Sequence, residues 1–160
     1  MQSGKILFAE QAGNYVLKFV GDVRLTLCST LDHFLETMLD NQGFKAVIID
    51  LTETVGIDST SLGLIAKISV KMKQRHQLRP TIVSTNDDIS RILLSMGFDK
   101  VFFLIQEVAA PAVPLAELSP LQESEQLLRQ RVLDAHRVLM ELNDTNRDSF
   151  RDLVRSLECD

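Results

Sequence analysis

A chain of 160 residues has room for one domain with a proper core and an appendage, and 45% hydrophobic against 24% charged residues excludes a disordered polar chain. The net charge of −5 sits mostly in the tail, since Met1 to Val108 carries 11 basic and 12 acidic residues while Ala109 to Asp160 carries 6 and 10. That balance argues against a nucleic-acid binder, and no apolar run exceeds VFFLI, which is too short to cross a bilayer.

The amino terminus MQSGKILFAEQ lacks the basic start and apolar stretch of a secretory signal, and Cys28 and Cys159 have no metal or redox spacing. Free thiols in the cytoplasm are the expectation. The cluster Lys67, Lys71, Lys73, Arg75 and Arg79 lies towards the end of a predicted helix, where cations suit the negative end of the macrodipole better than they indicate a binding patch.

Alternation in KILFAEQ and NYVLKFVGDV, separated by Ala12 and Gly13, predicts a hairpin. Leu27, Leu31, Phe34, Leu35, Met38 and Leu39 follow at helical spacing, with Ser29 or Thr30 as the expected cap and Asn41 to Gly43 as a stop. KAVIIDL reads as a strand covered on both faces, and TETVGID as a loop. A second helix over about 59–74 carries the stripe Leu62, Ile65, Ile68 and Met72. PTIVST is a strand, Asn86 caps a third helix ended by Gly97, and KVFFLI is a last strand.

Strands alternating with helices call for an α/β fold with a mostly parallel sheet, made mixed by the opening hairpin. We expect a domain over 1–108, a Pro/Ala-rich connector over 109–120 and a helical extension over 121–160. Leu121, Leu128, Val132, Ala135, Leu139 and Leu142 form one apolar stripe, and Phe150, Leu153, Val154 and Leu157 a second. Such helices must lie on the domain, on another copy or on a partner.

Between the strand AVIID and the second helix stands GIDSTSLG, with three hydroxyls directly after an aspartate. Asp58 or Ser59 can cap the helix, but capping does not require three hydroxyls. A nucleophile elbow would need glycine on both sides of the serine; Gly63 serves Ser61 on one side, whereas Ser59 stands on the other. His33, His76 and His136 all fall on predicted helices, which speaks against a hydrolase. A receiver-type phosphoacceptor at Asp50 lacks an acidic pair on the first strand, and no glycine-rich phosphate loop is present.

The run VIIDLTETVGIDSTSLGLIAKISVKMK resembles the signature of STAS domains in anti-sigma-factor antagonists, in which an apolar strand and a short loop lead to Asp-Ser-Ser/Thr-Gly-Leu-Gly at a helix start. Gly21-Asp22-Val23 and LLSMGFDKVFFL are similar to further family features, and with the tail HRVLMELNDTNRDSFRDLVRSLE the whole resembles antagonists of the HsbA type. The resemblance implies a non-enzymatic binding module without cofactor or metal, whose phosphoacceptor is Ser59. Asp58, Thr60, Ser61, Leu62 and Gly63 are its neighbours at the switch, Ser61 departing from the usual glycine. It implies an anti-sigma factor as partner, a flagellar one among the candidates, with a serine kinase and a serine phosphatase acting on Ser59. The other reading is a ligand-sensing or scaffold module without a sigma-factor role.

A phosphate at a helix amino terminus is held by free amides and the helix dipole, so the domain tolerates it. A partner docking there must desolvate the added charge, and binding is lost.

Overall fold

The alternating runs form an antiparallel pair, β1 (Lys5–Gln11) and β2 (Asn14–Val23), in the computed structural model of the protein, which describes residues 3–107, 111 and 113–159. Ala12 and Gly13 both have positive φ, 52° and 87°, as a two-residue hairpin turn matched to strand twist requires. Gly13 has no substitute, because a Cβ there would come within 1.8 Å of the Gly43 carbonyl oxygen.

Strand β3 (Ala46–Asp50) lies parallel to β2. Part of the stretch read as a loop, Thr54–Ile57, is a fourth strand, β4, parallel to the end of β2. It is four residues long and contains Gly56, which hides its signal; the Thr54 hydroxyl secures it by donating to the Phe19 carbonyl at 2.8 Å. Beyond β3 the sheet continues in parallel through β5 (Thr81–Val83) to β6 (Phe103–Ile105), giving the order β6-β5-β3-β2-β1. The fold is the expected mixed, mostly parallel α/β sheet.

Helix α1 (Cys28–Asp40) follows a 3-10 turn over Leu25–Leu27, and neither Ser29 nor Thr30 caps it. Both are buried within its first turn, and the Thr30 hydroxyl instead accepts from the Leu121 amide at 2.8 Å. Helices α2 (Ser59–His76) and α3 (Asp87–Ser95) carry the expected caps, Asp58 accepting from the Ser61 amide and Asn86 from the Asp88 amide. Gly97, at φ 81°, follows α3 in the left-handed conformation.

The predicted stripe Leu62, Ile65, Ile68 and Met72 enters a core shared with Leu17, Phe19 and Ile49 of the sheet. Helix α2 also buries Thr60, Ser61, Gly63, Leu64, Ala66 and Ser69, so it is covered on more than one side. The cover is the tail. Helix α4 (Glu125–Leu142) packs on α2 and α1, and α5 (Asp144–Glu158) packs on α4. Ala135 and Leu139 of α4 are part of the core, so the extension lies on its own domain.

Residues 109, 110 and 112 of the expected connector lie outside the described residues. Its described part contains a short strand, β7 (Ala116–Glu117), which extends the sheet beyond β1 in antiparallel pairing. Both cysteines are free, Cys28 buried and Cys159 exposed, and burial pushes the Cys28 thiol above its ordinary value. No described helix is long and apolar enough to cross a membrane.

Candidate functional site

Strand β4 delivers the chain to the start of α2, and Asp58 fixes the junction. One carboxylate oxygen accepts from the Ser61 amide at 2.9 Å, satisfying a first-turn donor of α2. The other accepts from the Leu25 amide at 2.7 Å, tying the segment after β2 to the same turn. Asp58 is therefore a structural cap with both oxygens engaged.

The three consecutive hydroxyls meet different environments. Thr60 and Ser61 are 3% and 2% exposed, whereas Ser59 is half-buried. Leu62 and Gly63 are buried as well. Of the residues expected at the site, Ser59 alone combines a hydroxyl with solvent contact. Two apolar side chains flank the turn in the open, Val55 at 67% and Leu25 at 36% exposure.

The Ser59 hydroxyl also has a partner that no pattern along the sequence indicates. Its oxygen lies 2.7 Å from Nε2 of His136, a residue 77 positions later on α4. Nδ1 of the same ring lies 2.7 Å from the Val132 carbonyl oxygen, which can only accept. In the neutral ring Nδ1 therefore carries the proton, Nε2 accepts, and the Ser59 hydroxyl donates to it. His136 is 2% exposed and packs edge-on against Phe150 of α5, with ring centroids 5.3 Å apart. A serine donating to an oriented imidazole resembles half of a nucleophilic triad, but a backbone carbonyl, not a carboxylate, stands behind the ring.

Gly63, one turn along α2, sets how close α4 comes. A Cβ at this position would stand 2.2 Å from the Ala135 carbonyl oxygen and 2.8 Å from the Ala135 side chain. Helix–helix contact at this distance needs a residue without a side chain.

An ion-pair network runs beside the contact. Arg131 of α4 binds Asp32 of α1, which is 7% exposed, and Glu123 in the approach to α4. Asp32 also pairs with Lys67 of α2 at 2.6 Å, and Lys67 reaches Glu36 at 3.2 Å. Arg75 pairs with Glu36 and Asp40. Most of the basic cluster at the end of α2 is therefore structural, since Lys67 and Arg75 join α1 to α2 and Arg79 lies over the Phe103 ring at 5.2 Å. Burial works against the Lys67 charge, yet Asp32 and Glu36 outweigh it and hold the ammonium above its ordinary value.

Hydrogen bonds from Arg131 dominate the shift of Glu123, whose pKa falls from 4.5 to about 2. The depressed value belongs to the folded arrangement, so its stabilisation is complete above pH 4.5 and is lost as the pH falls through about 2. Amide NMR of α4 is expected to show the tail loosening across this window, and Glu123→Gln to lack this component of the acid response.

The geometry defines a class: a mixed α/β sheet domain presenting one partly buried serine at the start of a helix next to the strand pair β2 and β4. The STAS domain family model matches residues 5–110, and the chain belongs to the STAS domain family. The match ends before α4 and α5. Among solved structures, the chain is similar to an anti-sigma factor antagonist from Mycobacterium paratuberculosis, with 20% identity and a TM-score of 0.57, over 66% of this chain and 88% of that one. It is also similar to the anti-sigma factor antagonist SpoIIAA in its unphosphorylated form, with 11% identity and a TM-score of 0.54, over 64% of this chain and 87% of that one. No curated protein sequence matches the chain. Among the described residues, no group of three His, Cys, Asp or Glu side chains is placed to hold a metal ion.

Proposed function

We propose that the protein is an anti-sigma-factor antagonist: it binds an anti-sigma factor while Ser59 is unmodified, and phosphorylation of Ser59 ends the binding. The single observation that carries this reading is the contrast within Ser59-Thr60-Ser61, where only the first residue is partly exposed and the other two are buried. The family supports the fold, and the solved antagonists resemble it there.

Leu25 and Val55 supply the apolar part of the docking surface, since both are exposed and lie on the segments joined to Asp58. A phosphate on Ser59 would add about −1.5 to −2 charges to this apolar rim. The chain acts as a binding module rather than as a catalyst, in the cytoplasm, with a serine kinase and a serine phosphatase setting the state of Ser59. A flagellar anti-sigma factor is the partner we would test first, with motility as the process affected.

The test is site-resolved phosphate mapping by mass spectrometry of the protein incubated with ATP in a cytosolic extract of its own host. Phosphate is expected on the wild type, on Thr60→Ala and on Ser61→Ala, and its loss only in Ser59→Ala. Phosphate on Thr60 or Ser61 with none on Ser59 would overturn the assignment.

A further inference from the structure

The tail is more than an appendage, because it occupies the part of the molecule through which the switch would operate. Helix α4 lies on α2 at Gly63, and His136 accepts the hydrogen bond of the Ser59 hydroxyl. We propose that the α4–α5 hairpin is latched on Ser59 by His136 and shields the Ser59 hydroxyl from a modifying enzyme, and that a phosphate on Ser59 favours its undocked form. The phosphate part of this inference rests on the reading of Ser59 as the modified residue.

Three independent attachments hold the hairpin. At the entry, the Leu121 amide donates to Thr30 and Arg131 joins Asp32 to Glu123. In the middle are the Ser59–His136 bond and the close approach of Ala135 to Gly63. At the far end, Nδ2 of Asn146, a residue 2% exposed, donates to the Met96 carbonyl at 2.9 Å and to the Leu139 carbonyl at 3.0 Å. Asn143 also donates to the Met96 carbonyl. The hairpin thus bridges the start of α1, the start of α2 and the end of α3.

The central attachment is the one chemistry at Ser59 would alter. A hydroxyl 2.7 Å from Nε2 leaves no space along that line for a phosphorus atom and its oxygens. Phosphorylation also replaces the hydroxyl proton that Ser59 donates, leaving Nε2 of the neutral, buried His136 ring without its partner. Either the phosphate turns to solvent while His136 loses its bond, or α4 moves away; both disfavour the docked hairpin. An enzyme that must reach the Ser59 oxygen meets the same obstacle, so opening precedes modification.

Hydrogen exchange on the full chain tests the latch without any partner. Phosphoserine is introduced at position 59 by genetic encoding, and the amides of α4 are compared with those of β3 and β5. The modified chain is expected to lose protection in α4 by about 5- to 150-fold, the range typical of coupling between sites, with the sheet strands unchanged. Gly63→Ala is expected to open the hairpin without phosphate, since alanine favours helix α2 itself while its Cβ collides with the α4 backbone. Asn146→Ala approaches the same state from the far end.

Full protection of α4 in the phosphoserine chain would overturn the proposal. Binding to purified anti-sigma factors, measured on the same samples, separates the two readings. Loss of binding with α4 still protected sinks the latch and leaves the antagonist function standing. Release of α4 with binding unchanged keeps the latch and sinks phosphorylation as the off switch.

Discussion

Ser59→Asp is expected to weaken binding of an anti-sigma factor on the order of a hundredfold, whereas Ser59→Ala retains it. The carboxylate would enter a turn where Asp58 is already negative and has both oxygens committed, one to the Ser61 amide and one to the Leu25 amide. Asp58 cannot turn away to make room without uncapping α2. A partner covering Leu25 and Val55 would have to strip water from the new charge while offering apolar surface in return. A hundredfold corresponds to about 2.7 kcal/mol, well within what an uncompensated interfacial charge supplies.

Ser59→Ala deprives His136 Nε2 of its donor but adds no charge at the docking surface, so its affinity is expected to equal that of the wild type. Calorimetric titration of the three proteins against one purified anti-sigma factor checks the order. Equal affinity of the aspartate and alanine variants would show that charge at Ser59 does not govern docking.

Leu139→Ala is expected to cost about 2–5 kcal/mol, the usual range for truncating a buried leucine. Leu139 is fully buried, belongs to the same core as Leu17 and Ile49, and its carbonyl accepts from Asn146 at the helix turn. Its loss opens a cavity between α4 and the domain that the ends of the hairpin, pinned at Thr30 and Met96, cannot collapse to fill. Urea unfolding measured by circular dichroism would register the change as a lower midpoint. Leu153→Ala serves as the comparison: its side chain is 43% exposed on α5, and little change is expected there. Similar small effects for both would mean that the tail contributes little to the shared core.

Helix α2 is packed from two sides. One side is evident from Leu62, Ile65, Ile68 and Met72, spaced to face the sheet. The second is not. Gly63 and Ala135 are small residues in helices, and nothing local distinguishes a glycine that permits close helix contact from one that merely weakens a helix. His136 is helical, as its surroundings in the sequence indicate, yet α4 lies across the start of α2 and carries it to Ser59, which its placement on a helix does not reveal.

Local physics determined the elements whose signals are short-range. The Ala12-Gly13 turn, the caps at Asp58 and Asn86, Gly97 after α3 and the alternation of strands with helices all follow from residues within a few positions of one another. The mixed, mostly parallel character of the sheet follows in turn, because an opening hairpin is antiparallel and the later strands return through helical crossovers of one favoured hand. The family signature around Asp58 and Ser59 belongs to the same short range.

Tertiary structure alone decided which of three adjacent hydroxyls meets solvent, where the tail lies and what holds it. Those outcomes depend on contacts such as Ser59 with His136, Thr30 with Leu121 and Asp32 with Arg131, which lie 77, 91 and 99 positions apart. A pattern read along the chain reports which face of each helix is apolar, but which two faces meet is settled only when the whole core closes.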